Sequence, residues 1–443
     1  MGELLPTRQA AMLQAALLDY LTTTFALADS DARTALTSFL EHQTDGIFKG
    51  PYVRTRLPFA PAPEDAAQAL DVMPAGLVPY GHQTAAFARL SSRDQRPQPT
   101  LVTTGTGSGK TECFLLPILD HVARARRSGK QGVKALILYP MNALANDQAL
   151  RIARLISGAP AGGGVNPYAG ITAALYTGED GPKRTKVSEA GLITSREVIR
   201  SAAPDILLTN YKMLDHLLLR ADDSLLWEQS SDSLQYVVLD EFHTYDGAQG
   251  TDVAMLLRRL GTTLKSSWPV RGSEADTHTD ADWTRALGRA TPVGTSATLG
   301  DGNENSSMVT FASEIFGEIF DSSCVITESR LGLEEWVGDA TTPPGFEPAT
   351  LTSTLLDELV DQLENVSEGD ELCRGVLGAL FVQSTSDRPA TPDTFSHKED
   401  VADEPIETAT SDQLLQYAKA LPLVQALIEH TSRATSLDDL VDL

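Results

Sequence analysis

From about residue 76 onward, short unbroken apolar runs alternate with stretches in which apolar residues recur at helical spacing. The runs are "TLVTT", "ALILYP", "AALYT", "DILLTN", "YVVLDE" and "PVGTSAT", rich in β-branched residues. Runs of that kind suit strands buried on both faces, and helices between them imply a parallel sheet covered on each side. The pattern differs on either side of this block. Residues 1–48 read as helices, and "RQAAMLQAALLDYLTTTFAL" sets Met12, Leu13, Ala16, Leu17 and Tyr20 on one face, which is expected to pack. "GPYVRTRLPFAPAPEDA" follows as a proline-punctuated connection. Beyond Gly300 the strand rhythm is lost: "MVTFASEIFGEIF" and "LTSTLLDELVDQLENV" read as helices, and the polar, acidic segment 383–412 reads as a linker or mobile loop. The pattern thus predicts an N-terminal helical segment (1–75), an α/β domain (76–300) and a mostly helical C-terminal segment (301–443).

Charge sharpens this division. The net charge of −25 is far from uniform, because residues 301–443 hold 29 acidic and 6 basic residues. The first 300 are therefore close to neutral, and the whole-chain acidity does not exclude an anionic partner for the α/β domain. With 42% hydrophobic residues the chain can bury a core. Its three cysteines, Cys113, Cys324 and Cys373, form no C-x-x-C pair, which argues against a disulfide framework or a zinc site. The N-terminus lacks the order of a signal peptide and no apolar run reaches membrane-spanning length. A cytoplasmic protein without membrane contact is expected.

The candidate chemistry begins at "LVTTGTGSGKTECFLLPIL". Gly109, Lys110 and Thr111 match the end of G-x-x-x-x-G-K-[ST], between a strand and a helix, although Thr104 stands at the first glycine position. Thr104, Gly105, Thr106, Gly107, Ser108 and Gly109 form a turn whose backbone N–H groups suit phosphate oxygens. Lys110 is placed to meet the β- and γ-phosphates, and the Thr111 hydroxyl to ligate Mg²⁺. A dinucleotide site needs glycine where Lys110 stands. Farther on, "YVVLDEFHTYDG" ends an apolar strand with Asp240 and Glu241. Carboxylates there are expensive unless they serve the sheet's C-terminal edge: Asp240 to hold Mg²⁺, Glu241 to orient and deprotonate water.

A third element, "VGTSATLG", carries Ser296 and Thr298 and completes a set. With "TGTGSGKT", "DEFH" and "SAT" as motifs I, II and III, residues 76–300 resemble the first RecA-like lobe of a superfamily 2 DExH-box helicase. "GKTE", "YPMNALANDQ" and "DEFHTYDGAQGTDVAMLLRRL" look most like the large YprA-like branch, which includes DNA-repair and anti-phage helicases. That branch usually carries a cysteine-rich C-terminal module, which has no counterpart here. The resemblance implies an α/β fold, a RecA-like P-loop NTPase lobe, that binds and hydrolyses Mg·ATP through Lys110, Thr111, Asp240 and Glu241. It places Gln83 of "VPYGHQTAAF" against adenine, with Tyr80 either stacking on the base or packed in the core. It implies that His243, Ser296 and Thr298 couple the nucleotide to the nucleic-acid surface. Pro140, Asn142, Thr209 and Asn210 would lie along the phosphates of one DNA strand, although Asn142 and Asn210 also suit local turns.

An engine of this family uses two RecA-like lobes, the second supplying arginines that stabilise the γ-phosphate in the transition state. After Gly300 the arginines are Arg330, Arg374, Arg388 and Arg433, none in a Q-x-x-G-R-x-G-R-like run. "SLDDLVDL" reads as a helix that starts with good capping and then stops. The expectation is the ATP-binding half of a DNA helicase or translocase, truncated or completed in trans by a protein partner carrying the second lobe. Two alternatives stay open: a nucleotide-gated regulatory or scaffold subunit that uses the acidic segment, and an RNA-directed DExH protein.

Overall fold

The computed structural model describes residues 6–42, 45–49, 52–63, 69–74, 76–105, 107–159, 164–179, 181–296, 303–355, 359, 369–384 and 405–436. The chain divides into two compact units, residues 59–330 and residues 1–58 with 331–443.

In the first unit every expected apolar run becomes a strand: β1 (Thr100–Thr103), β2 (Ala135–Tyr139), β3 (Ala173–Tyr176), β4 (Ile206–Asn210), β5 (Tyr236–Leu239) and β6 (Thr291–Ser296). A seventh, β7 (Val325–Thr327), was not legible. It is a three-residue edge strand with only Ile326 buried, too short to show a period. The order is β3-β4-β2-β5-β6-β1-β7, with every pair parallel. The unit is therefore wider than the 76–300 stretch read from the sequence. It starts at Phe59 and ends at Arg330.

Side chains alternate along each strand and feed two cores. On β2, Ala135, Ile137 and Tyr139 pack against α1 (Gly81–Leu90), α2 (Lys110–Arg127) and α3 (Asn142–Ser157). Leu136 and Leu138 face a second cluster with the buried sides of α4 (Tyr211–Leu219), α5 (Gly247–Ser266) and α6 (Asn303–Phe316). Covered on both faces, the sheet leaves its strand ends as the open surfaces.

The N-terminal ends of β2, β3 and β4 are tied by one carboxylate. Asp205 accepts from Lys134 Nζ at 2.8 Å, Arg126 Nη1 at 2.7 Å, and the Thr172 backbone N–H and hydroxyl, each at 2.8 Å. Lys134 and Asp205 are both buried. A buried cation is tolerated because its charge is met directly and the carboxylate's other lone pairs are filled. This knot fixes the sheet at the end opposite the glycine-rich turn after β1.

The second unit joins the two segments that flank the α/β unit, which the sequence pattern separates. Tyr52–Val53 pairs antiparallel with Thr435–Ser436, and Thr55 donates its backbone N–H to the Thr431 carbonyl at 2.9 Å. Phe346–Pro348 pairs antiparallel with Phe381–Gln383. Leu355, Leu377, Leu380, Phe381, Leu414, Tyr417 and Leu421 form a small core. The expected first helix forms at Pro6–Thr24, but Met12, Leu13, Leu17 and Tyr20 stay exposed rather than packing. Within the expected linker, Gln383 closes a strand and Ser411 opens a helix capped by Thr410, while residues 385–404 lie outside the described residues. Most of "LTSTLLDELVDQLENV" and the final residues 437–443 also lie outside them. Among the described residues, no helix is long and apolar enough to cross a membrane.

Candidate functional site

Strand order assembles the site. β6 lies between β1 and β5, so the turn after β1 and the acidic pair after β5 flank the C-terminal end of β6, where Ser296 sits. A cleft of about 520 Å³ opens there, lined by Tyr80, Gln83, Gly105, Gly107, Gly109, Lys110, Thr111, Asp240 and Glu241 among others. In open α/β sheets this edge is where ligands bind.

The glycine-rich turn is built as its composition requires. Gly107 and Gly109 have φ of 80° and 77°, and Gly109 leads directly into α2. A Cβ at Gly109 would also displace the end of the Gln83 side chain, but it is the left-handed backbone that calls for glycine there. Thr104 shows why the first motif glycine is dispensable. Its backbone is not in the left-handed region, and its hydroxyl lies 2.6 Å from that of Ser108, both side chains fully buried. His82 supports the same turn: its Nε2 donates to the Ser108 carbonyl at 2.8 Å. Burial lowers the His82 pKa and favours the neutral ring that makes this bond. Gln83 spans the turn too, accepting the Tyr80 N–H at 2.9 Å and donating to the Gly109 carbonyl at 3.3 Å. Tyr80 packs against Phe59 and His82 while bordering the cleft. Thr106 lies outside the described residues.

Across the cleft, Lys110 Nζ donates to Glu241 Oε1 at 3.1 Å. Glu241 is held in the left-handed region, φ 48°, the single non-glycine residue with positive φ among those described. Such a backbone disfavours an L-residue by about 1–2 kcal/mol, and strain of this kind collects at working sites. Thr295 clasps both acids: its hydroxyl donates to Asp240 Oδ1 and accepts the Glu241 backbone N–H at 3.2 Å. Asp240 is buried, and burial pushes its carboxyl pKa up, opposed by the Thr295 bond and by Lys110. A carboxylate desolvated in this way fits a cation. With the Thr111 hydroxyl on the same cleft it offers the hard oxygen donors that Mg²⁺ takes alongside phosphate and water. Among the described residues no cluster of three or more His, Cys, Asp or Glu is arranged to hold a metal by itself.

The remaining sequence-derived residues divide. His243 Nδ1 lies 3.0 Å from Ser296 Oγ and 3.5 Å from Glu241 Oε2, so those three meet. Thr298 lies outside the described residues. Pro140 follows β2, half-buried; Asn142 and Asn210 join through a 2.6 Å bond from Asn210 Nδ2 to Asn142 Oδ1. Asn210 also caps α4. Thr209 is fully buried and its hydroxyl donates to the Tyr176 carbonyl at 2.6 Å, so this side chain aligns strands rather than facing outward.

Sequence reasoning missed His82, Thr295 and Glu328. The last, just past β7, accepts the Gly105 N–H at 3.1 Å and pairs with Arg330 at 2.9 Å. Its signal was the short "CVIT" run followed by an acid, the same arrangement that marks Asp240.

The chain is similar to Druantia protein DruE of Escherichia coli (strain UMEA 4076-1), 27% identical over 51% of this chain and 18% of DruE. It is similar also to the ATP-dependent helicase YprA of Bacillus subtilis (strain 168), 32% identical over 41% of this chain and 20% of YprA. The chain thus spans about a fifth of the length of these relatives, which place it in the YprA/DruE-like branch of superfamily 2. Among solved structures, the DUF1998 helicase MrfA bound to DNA aligns with a TM-score of 0.41 and 25% identity, over 62% of this chain and 31% of that one. The DEAD/DEAH box helicase model matches residues 80–304, from the residue that caps α1 to the start of α6, and the chain belongs to that family.

Proposed function

We propose that residues 59–330 form the ATP-binding lobe of a DNA helicase or translocase that hydrolyses ATP efficiently only with a second RecA-like lobe. The observation that carries this reading is the facing of Lys110 and Glu241 across the cleft, with Asp240 and Thr111 beside them. Glu241 is ion-paired with Lys110. A γ-phosphate is a better partner for the ammonium, and its arrival frees the Glu241 carboxylate to accept a proton from attacking water. Thr111 and Asp240 would hold Mg²⁺, which would supply charge neutralisation for the phosphates. His243, bonded to Ser296 and close to Glu241, links the catalytic carboxylate to the end of β6.

The need for another lobe follows from the arginines. Among the described residues lining the cleft the one arginine is Arg151, and it is ion-paired with Glu112. An arginine aimed at the γ-phosphate must come from elsewhere, on the same polypeptide or a separate one, and is worth about 10³–10⁵ in rate. DNA is favoured over RNA by the motif resemblance to the YprA-like branch.

The test is ATP binding and turnover by this chain with no nucleic acid, with single-stranded DNA and with RNA of matched length. Measurable ATP binding, slow turnover, loss of that turnover in Lys110→Ala and greater stimulation by DNA are expected. Absence of ATP binding would sink the reading as a whole. Brisk turnover by the isolated chain would refute the dependence on a second lobe, and preferential stimulation by RNA would reverse the choice of substrate.

A further inference from the structure

A groove of about 590 Å³, separate from the nucleotide cleft, opens at the C-terminal end of edge strand β3. Its wall carries Lys183, Arg184, Arg196 and Arg200 against the acids Glu179 and Glu197. Arg200 is committed to Asp223 at 2.6 Å. Lys183, Arg184 and Arg196 make no ion pair among the described residues, yet two of them are held in place. The Arg196 guanidinium lies 5.7 Å from the centre of the Tyr176 ring, and the Arg184 guanidinium packs where Gly191 has no Cβ. The Tyr176 hydroxyl is buried without a hydrogen-bond partner on the same wall. Lys183, Arg184 and Arg196 outnumber the groove's acids Glu179 and Glu197, and cations in excess on a concave surface suit an anion.

One anion already stands at its border. Glu179, on an exposed turn, accepts from Asn142 Nδ2 at 3.1 Å through one oxygen and from Asn146 Nδ2 at 3.2 Å through the other. Asn142 is in turn held by Asn210. Two amide donors converging on two oxygens of one charged group is how a phosphodiester is also held. Nothing else about the turn calls for a carboxylate: Glu179 makes no ion pair among the described residues, and a neutral acceptor would serve the asparagines as well.

We infer that this groove is a phosphate-backbone site for a single strand of nucleic acid, and that Glu179 is a built-in stand-in for one phosphate, displaced when the strand binds. The inference rests on the nucleic-acid reading above and adds two things to it. Lys183, Arg184 and Arg196 extend the track from the strand ends of β2 and β4 past β3, and Glu179 sets a threshold for occupying it. Emptying the asparagine donors requires a competing anion, so binding is weaker than the cations alone would give.

The test uses the full chain and a fluorescein-labelled oligothymidylate, with anisotropy titrations across a series of KCl concentrations. Glu179→Gln keeps the acceptor and removes the charge; it is expected to tighten binding about 2- to 5-fold, the scale of one exposed charge contact. Lys183→Ala and Arg196→Ala should each weaken binding several-fold and lower the slope of log Kd against log salt by roughly 0.7, the single-strand value for one lost phosphate contact. All three side chains are exposed, so unchanged melting temperatures are expected and would exclude misfolding as the cause. Wild-type binding with Glu179→Gln no tighter, or with both alanine variants unaffected, overturns this inference and leaves the helicase reading intact. Failure of the wild-type chain to bind any oligonucleotide overturns both.

Discussion

Restoring the motif glycine at position 104 should damage this phosphate loop. In Thr104→Gly the Ser108 hydroxyl, fully buried, loses the partner 2.6 Å away. Leaving a buried hydroxyl unsatisfied costs about 1–3 kcal/mol. Thr104 does not have positive φ, so glycine relieves no strain there, and its added freedom in the unfolded chain costs roughly 0.5–1 kcal/mol more. The total is about 1.5–4 kcal/mol, which in a unit spanning residues 59–330 lowers Tm by about 3–7 °C. ATP affinity should fall about tenfold, because a loop that must be ordered on binding diverts ~1.4 kcal/mol of the interaction. Calorimetry and a fluorescent-nucleotide titration read both effects. Thr104→Val keeps the shape and removes the hydroxyl, so it should reproduce most of the stability loss. A double-mutant cycle with Ser108→Ala should return a coupling of about 1 kcal/mol. A Thr104→Gly protein that melts and binds ATP like the wild type would refute the reasoning, and would mean that the hydroxyl pair is incidental.

Two further outcomes follow from single contacts. Asp240→Asn should abolish ATP turnover yet raise Tm at pH 7 by about 2–4 °C, since burial penalises the carboxylate and an amide can still accept from Thr295. The sign with pH follows from the raised folded-state pKa. The penalty is absent below the unfolded carboxyl pKa, near ~3.9, and grows as pH rises through the folded value, so the two melting curves should converge toward pH 4. A Tm gap that does not narrow on acidification would contradict this. Gly261→Ala should be destabilising by about 2 kcal/mol, although alanine is the better helix former, because its Cβ would fall on the Ala286 carbonyl oxygen. Urea denaturation that finds the variant equal to or more stable than wild type would show that the Ala286 segment yields freely.

What could be read from the sequence alone is whatever is encoded in contiguous residues. Six sheet strands follow from apolar runs, and the phosphate loop from three glycines, a lysine and a threonine between a strand and a helix. The acidic pair is legible because carboxylates closing an apolar strand have few structural reasons to be there. The tertiary structure decided what depends on residues far apart. It placed Thr295 under both Asp240 and Glu241, brought Glu328 to Gly105, and closed the three strand ends on Asp205. A threonine in a strand or a histidine beside Gln83 has many ordinary uses, and nothing local distinguishes the one that meets a site. The same reason hid the second unit, where Thr55 meets Thr431: a pairing across so much chain leaves no trace in a window of a dozen residues. It also hid Glu179, which reads in sequence as one more exposed acid and takes on meaning only where Asn142 and Asn146 converge on it. The candidate chemistry of this chain is legible locally, because residue types suited to phosphate and metal recur there at fixed spacing. Its geometry was decided by packing, because long-range neighbours are chosen by the whole fold.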